Sequence, residues 1–370
     1  MKDANQGEKK AIFDGLINLF SQNSHGWLVF FGTGTSCALD RGFGMLALEE
    51  HLRDELRGDR DWSQVESQLD AGGSLERALT GIGLSEETKS KIREVTGSYV
   101  ASIDLAARND LLLGRKRWVG DRLIKALTQS LAPRNPRLPV VTSNYDMLIE
   151  YSCASQDIRY TTGFVGDVIR VWSWEGAQDS LNQCRVSRRR SQDLVLTNPV
   201  RRVELFKVHG SVNRFNDLSK NRQVECDLWT MTPPEGFQRV IAPPGDQKYE
   251  EYAGNIETAA GARQAEGRAS AFIMAGYGFN DPLLHQRIEG RVRQHDCPLV
   301  VLTRSVRNDK VERLHELGKR VWILVASRTG SEVSDDTHTV VYPPGNARPV
   351  ILENERLWSC DSFAERILGG

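Results

Sequence analysis

What most constrains this chain is a repeated pattern: a short, mostly apolar run, a turn, then a stretch with helical spacing. The runs are WLVFF at 27–31, PVVTS at 139–143, LFKVH at 205–209, AFIMAG at 271–276, PLVVLT at 298–303 and VWILVA at 321–326. A strand with water on one face alternates polar and apolar residues; a strand buried on both faces does not. Helical stretches such as PLLHQRIEGRVRQH (282–295) and VERLHELG (311–318) separate the later runs. Alternating buried strands and helices predict βα units on a parallel sheet covered on both faces.

Other segments carry different patterns. Ile12, Phe13, Leu16, Ile17 and Phe20 share one helical face. Residues 45–131 are almost free of strand character. Leu48, Leu52 and Leu56 recur at i+4, and Gly72, Gly73, Gly81, Gly83 and Gly114 divide the block into several helices, read as an insertion or lid. Residues 158–164, 168–174 and 239–242 read as strands and place a smaller inserted region at 155–240. Residues 250–268 read as a helix, and beyond about 328 a Pro/Gly/Ser-rich tail ends in a short helix at 362–368.

The formal net charge of -1 gives no bulk attraction to nucleic acid or an anionic membrane. The run Arg188, Arg189, Arg190 reads as a solvated loop. Cys37, Cys153, Cys184, Cys226, Cys297 and Cys360 are scattered, with no C-x-x-C pair, so no structural metal is expected. The opening MKDANQGEKK is not an apolar leader, and no run approaches the ~20 residues that span a bilayer. A cytoplasmic protein with free thiols is expected.

Ligands of open parallel sheets bind beyond the carboxyl ends of the strands, where four unusual segments lie. In FGTGTS (31–36), Gly32 and Gly34 permit a tight turn near a pyrophosphate, and the next helix offers free N–H groups. In TSNYD (142–146), Asn144 can hold ribose hydroxyls or a water; an Asx turn, or a helix capped by Asp146, explains the same residues. In KVHGS (207–211), His209 ends a buried strand, where a lone histidine is more often structural than catalytic, although it can act as a base near neutral pH. In AGYGFND (275–281), Asp281-Pro282 starts a helix.

In order, G-x-G-x-S, T-x-N-Y-D, K-x-H-G-S and the G-Y-G-F-x-D loop resemble the sirtuin-like domain family, and more narrowly its bacterial anti-phage NAD-hydrolase branch. The stretch IAPPGDQKYEEYAGNI (241–256), with Pro243, Pro244 and Lys248, resembles the family's I-x-P-x-x-x-K-Y segment. The resemblance covers roughly residues 20–305. It implies a Rossmann-like α/β sheet with a helical insertion and a smaller inserted subdomain. Residues 1–305 would form the NAD-binding catalytic domain; 306–370 would hold the last βα units and a tail with assembly as its candidate role. It further implies NAD as substrate, with Gly32, Thr33, Gly34 and Ser36 along the phosphates and ribose. Asn144 and Asp146 would flank the nicotinamide ribose, His209 would be the base, and Gly276, Phe279 and Asp281 would approach the adenosine half. The deacylases of this family carry four zinc cysteines and a P-D-F-R stretch after the glycine loop. Here the loop continues as CALDRGFG (37–44), which favours hydrolysis without a peptide acceptor.

The resulting expectation is an NAD+ glycohydrolase releasing nicotinamide and ADP-ribose, with a cyclic product as a variant. Asn144 would hold water or ribose hydroxyls, and His209 would remove the proton. The resemblance implies a homo-oligomeric defence effector working with a HerA-type hexameric ATPase, or alternatively with a short Argonaute. Two rivals are a non-catalytic NAD or ADP-ribose sensor and an oxidoreductase. The second lacks its G-x-G-x-x-G fingerprint and downstream acidic residue here.

Overall fold

The computed structural model describes residues 2–3, 6–22, 26–80, 82–189, 192–245, 256–327, 336–345 and 348–369. A ten-stranded sheet organises them. Its order is Lys2–Asp3, Val350–Leu352, Thr339–Tyr342, Val321–Ala326, Leu299–Thr303, Ala271–Ala275, Trp27–Phe31, Arg137–Thr142, Arg202–Lys207 and Arg159–Thr161. From Val321–Ala326 to Arg159–Thr161 every neighbouring pair is parallel. Thr339–Tyr342 and Val350–Leu352 extend the sheet antiparallel, so the segment read as an irregular tail contributes two strands. These are short and interrupted by Pro343, Pro344 and Gly345, which hid them.

The uninterrupted apolar runs have the cause expected of them. Trp27, Val29 and Phe31 point into one hydrophobic cluster, where Leu16, Leu123 and Leu127 from the helices Gln6–Gln22 and Asp121–Ser130 meet them. Leu28 and Phe30 point into the opposite cluster, with Ala262, Ile288 and Val292 from Ile256–Arg268 and Pro282–His295. Both faces are therefore covered, which is the parallel α/β architecture read from the sequence. Chain order reverses at Trp27–Phe31. Arg137–Thr142, next in the parallel series, lies on one side, and Ala271–Ala275 lies on the other. Loops leaving adjacent strands there run in opposite directions and open a crevice.

The block from Met45 to Leu112 is helical, with Met45–Glu55, Trp62–Asp70, Leu75–Leu79 and Glu86–Leu112 packed around Leu52, Trp62 and Val65. The longest helix starts at Ser85, whose hydroxyl accepts from the Thr88 N–H, and carries Glu86 and Glu87 in its first turn, where the dipole favours them. Gly97, inside it, leaves room for Arg239: a Cβ there would fall 2.1 Å from the Arg239 Cδ.

A second, five-stranded sheet is antiparallel, ordered Phe237–Ile241, Gly210–Asp217, Arg222–Glu225, Arg170–Trp172 and Phe164–Val165. Arg188 and Arg189 do not lie in a loop; they belong to the strand Asn182–Arg189, paired with Gln192–Pro199, and Arg190 is outside the described residues. The helix expected at 250–268 is seen as Ile256–Arg268; residues 246–255, with Lys248, lie outside the described residues. No described helix is long and apolar enough to cross a membrane.

Candidate functional site

Two glycine loops meet at the reversal of strand order. The Gly32 N–H donates to the Ala275 carbonyl at 2.9 Å, and the Gly34 N–H to the Gly276 carbonyl at 2.8 Å. A Cβ on Gly32 would sit 2.7 Å from the Gly276 oxygen. A Cβ on Gly276, which has φ +60°, would sit 2.5 Å from the Thr35 nitrogen. Glycine is thus required here first by the contact between the loops. Thr33 and Gly34 still face open space, whereas Gly32 is behind the wall.

The next loop is tied to the first. The Thr142 hydroxyl donates to the Phe31 carbonyl (2.9 Å) and accepts from the Asn144 N–H (3.0 Å). The Asn144 Nδ2 donates to the Ser36 hydroxyl (2.9 Å) and the Gly32 carbonyl (3.2 Å). Ser36 in turn donates to Asp146 Oδ2 at 2.7 Å, so it serves the loop's internal network and is not among the residues lining the cavity. Asp146 also accepts from the Leu148 N–H at 3.2 Å, at the start of the helix Leu148–Ser155. Asn144 Oδ1 is buried and has no hydrogen-bond partner among the described residues.

Beneath this loop lies Lys207, which is fully buried. Its ammonium donates to the Asp146 carbonyl and to Glu150 Oε1, the latter at 2.9 Å. Burial pushes the Asp146 and Glu150 carboxyls up, and Lys207 opposes the shift in both. Neither Lys207 nor Glu150 stood out in the sequence as a functional residue. Their signal was one charge inside each of two apolar stretches, LFKVH and MLIEYSC.

His209 follows at the turn out of the strand. Gly210 makes that turn at φ +86°, where a Cβ would lie 1.9 Å from the Val240 oxygen. The His209 Nε2 stands 3.6 Å from Asp281 Oδ2, and both side chains are almost fully buried. Asp281 is therefore the histidine's neighbour as well as part of the cavity wall. The loop that delivers it is pinned by Lys310, whose ammonium donates to the Gly278 carbonyl (2.9 Å) and the Phe279 carbonyl (2.7 Å). Tyr277 donates to the Asp281 carbonyl (2.8 Å) and contacts His285 Nδ1 (3.1 Å). Burial first, then Arg313 and Lys310, push His285 down to about 4, so it stays neutral near pH 7. Phe279 is in the core against Tyr277 and His285.

Thr33, Gly34, Asn144, Asp146, His209, Gly276 and Asp281 line one cavity of about 250 Å³. Phe43, Leu48, Tyr99 and Val100 close it from the helical block and the turn before it. That block and the turn after it also fix the loops: Trp118 Nε1 donates to the Thr35 carbonyl at 2.9 Å, and Asp104 accepts from the Met147 N–H at 2.7 Å and from the Tyr151 hydroxyl. Across Gly34, Gly276 and Gly278 a second cavity of about 480 Å³ continues, bordered by Arg41, Arg304 and Arg356. The two spaces flank one glycine junction, a layout suited to an elongated, anionic ligand. Among the described residues no group of three or more His, Cys, Asp or Glu could hold a metal ion.

No curated protein matches the chain. A solved structure described as "Structural Basis for the Mechanism and Regulation of Sir2 Enzymes" aligns with a TM-score of 0.41 and 10% identity, over 84% of this chain and 92% of that chain. Residues 139–317, which deliver Asn144, His209 and Asp281 to the cavity, match the SIR2-like domain family.

Proposed function

We propose that this protein cleaves NAD+ at the nicotinamide–ribose bond and transfers the ADP-ribosyl group to water. The observation that carries this reading is the convergence of His209, its Asp281 neighbour and Asn144 on one cavity at the reversal of strand order. Asn144 Oδ1 is an acceptor with no partner among the described residues, suited to a ribose hydroxyl or a water. Pyridinium is a good leaving group, and its departure leaves an oxocarbenium-like ribose. Water adds at the anomeric carbon and its proton passes to His209, whose ring the Asp281 carboxylate orients. The products are nicotinamide, ADP-ribose and a proton.

The test is nicotinamide release, followed by mass spectrometry, from NAD+ with the wild type, His209→Ala and Asn144→Ala, each checked for an unchanged melting curve. Loss of one positioned base costs about 100-fold or more in rate. Undiminished release by folded His209→Ala overturns the assignment. NAD binding without release by the wild type, alone and with its partner, leaves a sensing module instead. The ordered motifs that resemble anti-phage NAD hydrolases support a wider proposal: a homo-oligomeric defence effector paired with a HerA-type hexameric ATPase. Co-expression with such an ATPase under phage challenge, reading cellular NAD+, checks it; a short Argonaute is the alternative partner.

A further inference from the structure

The two cavities that meet at the glycine junction carry opposite charge. The inner one, with Asn144 and His209, has Glu76, Asp146 and Asp281 in its wall and neither lysine nor arginine among its described lining residues. The outer one, of about 480 Å³, is bordered by Arg41, Arg304 and Arg356 and by a single carboxylate, Asp336. Arg304 already holds that carboxylate: its Nε donates to Asp336 Oδ1 at 3.2 Å, and its Nη2 stands 3.1 Å from Oδ2. With this pair set aside, Arg41 and Arg356 remain, both exposed. The Asp40 carboxylate beside Arg41 accepts from the Gly42 N–H at 2.8 Å. The Arg356 guanidinium lies over the Trp358 ring, 5.5 Å from its centroid. A guanidinium stacked on an indole keeps its N–H donors in its own plane, where an anion can meet them.

We propose that Arg41 and Arg356 hold the 2′-phosphate of NADP+ in the outer cavity, so that the phosphorylated dinucleotide is the preferred substrate; this rests on the reading of the inner cavity as the cleavage site. The cationic pyridinium end is drawn to the acidic inner wall. The pyrophosphate crosses at Gly34 and Gly276, which border both spaces, and the adenosine half lies outside. Dinucleotide folds that take NAD+ set a carboxylate on the adenosine ribose 2′-hydroxyl, and those that take NADP+ set an arginine near the 2′-phosphate. Here the strand Leu299–Thr303 leads into Arg304 and Ser305 at the outer wall, a cation and a hydroxyl, and Arg304 neutralises the one carboxylate that would repel a phosphate. A phosphate dianion there gains charge-assisted hydrogen bonds that a bare 2′-hydroxyl cannot make. Water adds at the anomeric carbon as before, and the products are nicotinamide, 2′-phospho-ADP-ribose and a proton.

Two measurements on the full chain test this. Nicotinamide release is compared between NADP+ and NAD+, and calorimetric titration compares adenosine 2′,5′-bisphosphate with 5′-AMP, which reads the phosphate site without any cleavage. The wild type is expected to favour NADP+ about tenfold or more in kcat/KM, and the bisphosphate by a similar factor in Kd. The double variant Arg41→Gln, Arg356→Gln, at an unchanged melting temperature, is expected to lose both preferences. NADP+ turned over no better than NAD+, a bisphosphate bound no more tightly than 5′-AMP, or preferences that survive in the folded double variant overturn the proposal. If neither dinucleotide is cleaved but the bisphosphate keeps its arginine-dependent advantage, the cleavage reading falls and the phosphate site stands.

Discussion

Replacing Lys207 with methionine probes the support under the loops of the candidate site. The side chain keeps a similar length and loses its charge. Glu150 is then left buried, with Oε1 deprived of its ammonium partner and Oε2 already without a hydrogen bond. Breaking a buried ion pair by removing one member costs about 3–5 kcal/mol while the survivor stays ionised. Glu150 can instead take up a proton. Burial already raises its pKa and Lys207 opposes that rise, so losing Lys207 raises it further. The folded variant then holds a proton that the unfolded chain has released, and each pH unit above the unfolded carboxyl range costs about 1.4 kcal/mol until the ionised limit is reached. Urea unfolding at pH 5.5 and pH 8 should show a modest loss at the lower pH and about 3–5 kcal/mol at the higher. Adding Glu150→Gln should restore most of the loss at pH 8, because the uncompensated charge is gone. A Lys207→Met variant as stable as the wild type at pH 8, or a loss indifferent to pH and to residue 150, would refute the reasoning.

Three more outcomes follow from neighbouring residues. Burial raises Asp104 to about 7, against an unfolded value near 3.8. Its proton stabilises the fold below that unfolded value, and the contribution is lost as pH rises to about 7; Asp104→Asn should flatten this part of the urea-midpoint profile. Gly276→Ala forces a Cβ to within 2.5 Å of the Thr35 nitrogen at φ +60°, so it should lower the melting temperature and NAD turnover together. The left-handed backbone alone accounts for about 1–2 kcal/mol, and differential scanning calorimetry measures the total. Asp281→Asn keeps the shape beside His209 but removes the charge, so it should lower the rate of nicotinamide release and shift its pH profile while leaving the KM for NAD+ nearly unchanged.

The parts of the fold legible in the sequence were those governed by one local rule. Val29, Phe30 and Phe31 are apolar in succession because each side of the sheet is covered, and the same holds for Ala271–Ala275 and Val321–Ala326. The smaller sheet was harder to read because its interior is polar. Arg214 is fully buried against Glu225 at 3.1 Å, and Arg239 is buried against the Val212 and Thr230 carbonyls, so neither strand shows a clean alternation. At the site, the strand-end positions of Asn144 and His209 were visible from the runs they terminate. The partnership of His209 with Asp281 was not, because it depends on where two distant loops fall in space. The contacts of Ser36 with Asn144 and Asp146, and of Gly32 with Ala275, were invisible for the same reason.

The helical block between the first two parallel strands of the chain has a consequence for any attempt to trim this protein. It roofs the cavity through Leu48, Tyr99 and Val100, but it also holds the floor, through Trp118 on Thr35 and Asp104 on Met147 and Tyr151. Excising it would not yield an open-topped minimal enzyme. It would strip the tethers from both loops that line the cavity, so a fragment reduced to the sheet and its flanking helices should keep its scaffold and lose its pocket.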